Sequence, residues 1–377
     1  MYEEMFDEKY KNCAWVDFDT LEKFMKDVFI GVGVPAEEAE VCAEVLITSD
    51  KRGIDSHGIG RLKPIYIDRI RAGIQNPKTK FEVVKETETT AVVDGHNGMG
   101  HFISKNAMQM AIDKAKRHGL GMVVVRNSTH YGIAGYYPLM AIENNMIGIT
   151  GTNARPSIAP TFGVENMLGT NPLTLGLPTD EDFPWVLDCA TSVSQRGKIE
   201  VYDRADKEVP AGWVIGRNGE TRTDTKQILE DLKTGNAALA PLGGLGEKTG
   251  GYKGYGYATF VEILSAALQD GKFMKDLSGF DKDGNKIPYP LGHFFLAINI
   301  ESFIDPQRFK WIAGEICRQL RNSQNAPGED RIYTAGEPEY VAWQYRKDKG
   351  CPVNKVLQDQ MIQLRDELSL DYQFDFE

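Results

Sequence analysis

The chain has 377 residues, 41% hydrophobic, 10% aromatic and 26% charged, the balance of a folded globular protein long enough for two or three subdomains. Its formal charge of −11 excludes a cationic nucleic-acid-binding face, and no run of about 18 apolar residues is present to span a bilayer. Five scattered cysteines, odd in number and without a CxxC pair, argue against structural zinc and against a disulfide framework, so no metal site is expected.

The acidic opening MYEEMFDEKYKN lacks an apolar signal core, and a cytoplasmic home is expected from it. Residues 19–32 are predicted as a helix opened by Asp19 with Glu22 three residues on, with Leu21, Phe24, Met25, Val28 and Phe29 on one face. A second helix starts near Pro35, carries Glu37 and Glu38 in its first turn, and ends at Lys51, Arg52 and Gly53. After the turn DSHGIGRL, 62–72 reads as a third helix closed by Gly73. The pattern then alternates: TTAVVDG as strand, 104–117 as helix, GMVVVR as a buried strand, a helix around 137–143, and MIGITGTN as strand.

From 156 to 219 the chain is rich in Pro, Gly and Thr, the texture of β structure with many turns. A short helix is expected at 224–234. The glycine-dense PLGGLGEKTGGYKGYG feeds another through 260–268, HFFLAINI is a strand, and 306–322 is a helix. The last fifty residues are charged, with PGEDR as a turn.

Two motifs concentrate chemistry. His57 and Arg61 lie four residues apart in DSHGIGRL, where a histidine can move a proton near neutral pH and an arginine can hold a carboxylate bidentately. The competing reading is a polar cluster at a helix end. His130 falls in RNSTHYGIAGYY, on the connection between an apolar strand and a helix, and is either a second site residue or a capping histidine. His96 and His101 flank NGMG and read as structural; His118 reads as a helix-end residue. Asp188 ends the apolar FPWVL and either orients a ligand or caps the next helix. Arg155 in TNARPS and Thr170 in GTNP have little weight alone.

The glycine loops match neither nucleotide fingerprint. In GHNGMGH, Gly95, Gly98 and Gly100 run in the wrong order for G-x-G-x-x-G, with no acidic residue at the expected distance. The run from Gly243 to Gly256 carries Lys248 and Lys253 but lacks the G-K-[ST] ending of a P-loop.

Taken in order, DSHGIGRL, VDGHNGMGH, NSTHYGIAGYY, GTNPLTLGLPT, LDCATSVSQRGKI, PAGW, GYKGYGYATFVEILSAAL, GHFFLAI and PGE resemble the malate/L-lactate dehydrogenase-like family, over roughly 18–336. That family also holds L-sulfolactate, ureidoglycolate and diketogulonate dehydrogenases and cyclic-imine reductases. The resemblance implies an α/β (α+β) fold with a mixed sheet and a nicotinamide-binding domain that is not Rossmann, plus a helical N-terminal domain joined by the returning C-terminus. The expected boundaries are 1–75 with 303–377 for the helical domain, 76–125 with 215–302 for the cofactor domain, and 126–214 for an inserted third domain.

The resemblance also implies a homodimer, NAD as cofactor with NADP as the alternative, and a small 2-oxo or 2-hydroxy acid as substrate. Carried onto this sequence, the family's motifs place Ser56, His57, Arg61 and His130 in the site, and cofactor contacts at Ser56, Asp188, Cys189, Ala190, Thr191, Ser192, Gln195, Lys253, His293, Gly328 and Glu329. The implied reaction is hydride transfer between NAD(P)H and a 2-oxo acid. Arg61 would hold the C1 carboxylate with help from Thr170, His57 would give the proton with His130 as orienter or substitute, and Asp188 would hold the cofactor or tune the histidine.

Arg155 departs from the family's small or apolar residues. It would favour a second anionic group on the substrate if it reaches it, and pairs with a surface acid if it does not. Reduction of a cyclic imine, oxidation of ureidoglycolate, and a non-catalytic metabolite-binding role are the rival readings.

Overall fold

The computed structural model describes residues 2–204 and 206–377. The strands in chain order are β1 (Ala14–Val16), β2 (Glu82–Glu86), β3 (Thr90–Asp94), β4 (Leu120–Ser128), β5 (Met146–Thr152), β6 (Leu173–Leu177), β7 (Trp185–Cys189), β8 (Val214–Gly216), β9 (Thr221–Arg222), β10 (Ala237–Leu239), β11 (Leu291–Asn299) and β12 (Cys351–Val353). Seven of them form the central sheet in the order β2-β3-β4-β11-β5-β6-β7.

Only β3 and β4 run parallel in that sheet, and the helix Gly100–His118 crosses between them, as a parallel pair requires. The helix lays Ile103, Ala107, Met108, Ala111, Ile112 and Ala115 against Val93, Val123, Val125 and Phe295. On the other face Val261, from the helix Gly251–Leu264, packs with Val124 and Phe294. A mostly antiparallel sheet is not the parallel one a Rossmann fingerprint serves, which accounts for the missing motif.

The opening helices Phe18–Gly31 and Ala36–Lys51 bury Leu21, Phe24, Met25, Val28 and Phe29 with Met361 and Leu364 of the C-terminal helix Lys355–Glu367. Strands β1 and β12 pair antiparallel across the same junction of N- and C-terminal segments. The cap of the first helix is Asp17 rather than Asp19: its carboxylate accepts from the Thr20 amide at 2.9 Å, because the helix starts one residue before Asp19.

Strands β5, β6 and β7 pair with β11 and with one another in the central sheet. The smaller layer is the sheet β10-β8-β9, whose apolar cluster of Ile158, Leu168, Ile199, Val209, Val214, Ile228 and Leu239 holds the lobe together.

The charged C-terminal stretch also contains the helix Glu337–Arg346, and Tyr2–Tyr10 is helical. Neither was evident in the sequence pattern.

Candidate active site

One end of the central sheet gathers the loops that matter. Register places Ser128 opposite Leu291, His293 opposite Thr152, Gly151 opposite Leu173, and Leu173 opposite Cys189. The connections leaving β4, β5 and β7 and entering β6 and β11 therefore open at one edge. There they meet the 54–61 turn of the helical domain around a cavity of about 440 Å³.

Ser56, His57, Arg61, His130, Thr170, Asp188, Ala190 and Gln195 line that cavity together, so most of the sequence-predicted site converges. The rings of His57 and His130 stack with centroids 5.8 Å apart. The Ser56 hydroxyl lies 2.7 Å from His57 Nδ1, and Arg61 Nε donates to the Ser56 carbonyl. Burial and the neighbouring Arg61 guanidinium push His57 down to about 4.

His130 is also pushed well below its usual value, by burial and then by His57, Arg69, His101 and Arg61. Its Nδ1 lies 2.6 Å from the Tyr66 hydroxyl and receives the Gly132 amide at 3.3 Å. A backbone N–H can only donate, so the neutral ring carries its proton on Nε2. The Ser56 hydroxyl facing His57 can donate or accept, and so tolerates either charge state of that ring.

The loop carrying His130 is clamped by glycines. The Thr129 hydroxyl accepts from the Gly100 amide at 3.0 Å and donates to the Gly98 carbonyl at 2.7 Å. A Cβ on Gly100 would come within 2.4 Å of the Thr129 carbonyl oxygen and 2.5 Å of that of His130. The NGMG run is thus a close-approach surface for the His130 loop.

Asp188, next to last in β7, has one carboxylate oxygen 2.6 Å from the Gly135 amide and the other 3.2 Å from the Thr174 hydroxyl. Burial raises its carboxyl above the usual range, against the Gly135 and Thr174 hydrogen bonds.

The remaining expected residues stand off the cavity wall. His293 is fully buried behind it, with Nδ1 2.7 Å from the Thr152 hydroxyl and its ring stacked on the lining Tyr131 at 4.6 Å. Thr191 bonds through its hydroxyl to the carbonyls of Thr170 and Asn171, and Cys189 and Ser192 flank the same segment. Lys253 is exposed on the first turn of Gly251–Leu264, while Gly328 and Glu329 form an exposed turn. Arg155 follows the lining Ala154 but is itself exposed. Its guanidinium sits over the rings of Phe280 at 5.2 Å and Tyr289 at 5.8 Å rather than on a surface acid.

Comparison with known proteins completes this picture. The sequence pattern of the family described as malate/L-lactate dehydrogenase matches residues 16–362. The chain belongs to the malate/L-lactate dehydrogenase family. It is 42% identical to malate dehydrogenase from Pyrococcus horikoshii, over 94% of this chain and 96% of that protein. It is 38% identical to L-sulfolactate dehydrogenase from Methanocaldococcus jannaschii, over 93% and 96% respectively. The crystal structure of malate dehydrogenase from Entamoeba histolytica matches with a TM-score of 0.92 at 46% identity, covering 96% of this chain and 100% of that one.

Membership of the malate/L-lactate dehydrogenase family makes the chain a hydroxy acid dehydrogenase and implies a nicotinamide cofactor. The residues present fit such a group. Ile133, Ala134, Pro172 and Ala190 give the cavity a small apolar wall, and Thr170, Asp188 and Gln195 give it a polar edge. Beside them the Ser192 hydroxyl is buried and has no hydrogen-bond partner among the described residues.

Sequence reasoning missed Tyr66, Thr152, Asn153, Arg196 and Glu339. Thr152, Asn153 and Arg196 lie inside or beside quoted motifs and could have been nominated from them. Tyr66 and Glu339 carry no local signal, because only the packing of the helical segments brings them to the site.

Proposed function

We propose that the chain interconverts a 2-oxo acid and a 2-hydroxy acid, with NAD as the cofactor. The observation that carries this reading is the convergence of Ser56, His57, Arg61 and His130 on one cavity. When bound, the nicotinamide supplies or accepts the hydride, and Ala134, Thr170, Asp188, Ala190 and Gln195 would hold it. Arg61 holds the C1 carboxylate of the acid. His57 moves the proton at the substrate oxygen, because Ser56 accommodates its neutral and charged forms. His130, facing an obligate backbone donor at Nδ1, stays neutral and offers its Nε2 proton as a hydrogen bond to the same oxygen.

For the substrate we favour a doubly anionic acid of the malate or sulfolactate kind. The two relatives compared act on malate and on L-sulfolactate by name, and Arg69 and Arg155, both over the Tyr289 ring, add positive charge near the pocket. A homodimer in the cytoplasm is the assembly and location we infer. Exposed Tyr257, Phe260 and Ile263 on one helix support the first, and five cysteines free of disulfides support the second.

The test is oxidation of NADH and of NADPH by the purified protein with oxaloacetate, sulfopyruvate, pyruvate and a cyclic imine in parallel. Oxaloacetate or sulfopyruvate is expected to turn over fastest with NADH, and Arg155→Ala to lower that preference through KM. His57→Ala should lose most of kcat, about 100-fold or more, and His130→Ala less. Wild-type kcat in both histidine variants would remove this mechanism; a preference for the imine would replace the substrate class.

A further inference from the structure

The catalytic turn is held from outside by a helix that precedes the stretch matched by the family, which begins at residue 16. Asp55 stands one residue before Ser56. One of its carboxylate oxygens accepts from Arg346 Nη2 at 2.6 Å, and the other accepts from the Tyr10 hydroxyl at 2.8 Å and Lys9 Nζ at 2.9 Å.

Arg346 is fully buried, bonds the Asp50 carbonyl through Nη1, and through Nη2 also reaches the Tyr10 hydroxyl. Asp50 in turn accepts from the Ile59 amide at 2.8 Å and lies against Gly58. Lys9, Tyr10 and Arg346, from the two ends of the chain, thus converge with the nearby Asp50 on a turn of eight residues, 54–61.

The contributions differ in weight. Lys9 and Asp55 expose 51% and 36% of their side chains, so their ion pair alone contributes little. The Tyr10 hydroxyl is the member that matters, because it bridges Asp55 to a guanidinium held out of water. Tyr10 is itself seated by ring contacts with Phe6 at 6.1 Å and Trp15 at 5.9 Å.

Movement of Asp55 carries Ser56 with it, and Ser56 sets both neighbours: its carbonyl accepts from Arg61 and its hydroxyl meets His57 Nδ1. We propose that Tyr10 and Lys9 are positioning residues for Ser56, His57 and Arg61, acting through Asp55 and Arg346. This rests on the reading that the 54–61 turn carries the chemistry.

The experiment compares the full-length protein with Tyr10→Phe, Lys9→Met/Tyr10→Phe and Lys9→Arg/Tyr10→Phe. It reads kcat, KM for the cofactor and the oxo acid, and hydrogen exchange of the amides of 54–61. Tyr10→Phe keeps the ring contacts, so the helix stays docked. The Lys9→Met/Tyr10→Phe protein is expected to lose about tenfold in kcat with cofactor KM unchanged and exchange of 54–61 accelerated, while Lys9→Arg recovers part of the loss.

The proposal is overturned if exchange of 54–61 stays at the wild-type rate, or if it rises while kcat does not move. His57→Ala is run beside them: full activity in that variant refutes the catalytic reading, whereas the exchange data still decide whether Tyr10 and Lys9 hold the turn.

Discussion

His57 and His130 are neighbours with different partners: His130 Nδ1 meets the Tyr66 hydroxyl at 2.6 Å and the Gly132 amide at 3.3 Å, and His57 Nδ1 the Ser56 hydroxyl at 2.7 Å. The Gly132 amide cannot accept, so a second proton on His130 would face a donor. The Ser56 hydroxyl can reverse its role, so His57 can charge and discharge. Burial and Arg61 set His57 at about 4 in the free protein, so the ring is neutral and able to take a proton throughout the ordinary pH range. The pH profile of kcat/KM for 2-hydroxy acid oxidation, which reports the free enzyme, is therefore expected to be flat from about pH 8 to 6 and to fall only toward pH 4. A bend near pH 6.5, the value of an unperturbed histidine, would show that His57 is not held at about 4 in the free protein.

Among the elements, the start of the helix Gly100–His118 does more than cross between β3 and β4. Its first residue lies flat against the two carbonyls that shape the His130 loop. Gly100→Ala has no room to relax, since both neighbours are backbone. It is expected to cost about 1–3 kcal/mol of stability and to lower kcat by displacing His130, measured by urea unfolding and by initial rates. Wild-type activity in a stably folded Gly100→Ala protein would show that the loop does not depend on this contact. The sequence pattern identified the helix but began it at 104, because the glycine-rich first turn carries no apolar periodicity. After the turn 54–61, Leu62–Ile67 winds more widely than an α-helix, with Pro64 lacking an N–H to give, and this stretch brings Tyr66 under His130.

At the scale of the molecule, Tyr257, Phe260 and Ile263 expose about half of their surface along one face of Gly251–Leu264, with Leu268 just beyond. Apolar residues at this spacing on a folded surface call for a cover, and a second copy of the chain is the one proposed. Sedimentation is expected to give twice the chain mass, and Phe260→Glu to shift the protein toward the monomer. A wild-type protein that sediments as a monomer at micromolar concentration would refute the dimer. Among the described residues, no helix is long and apolar enough to cross a membrane.

The sequence by itself determined the local elements and the family to which their motifs point. Apolar periodicity marked the helices that bury Phe24 and Val28 and the strands around Val124 and Phe294, and the ordered motifs named His57, Arg61, His130 and Asp188. These are short-range properties, written in consecutive residues. The tertiary structure decided which strands share a sheet, and so set β5, β6 and β7 beside β11. It also decided that Tyr66, Glu339, Tyr10 and Arg346 reach the site or the turn behind it, and that Arg155 rests on aromatic rings outside the cavity wall. Those outcomes depend on pairing and packing between residues up to 336 positions apart, as in the Arg346–Tyr10 bond, and no local pattern encodes a partner at that distance.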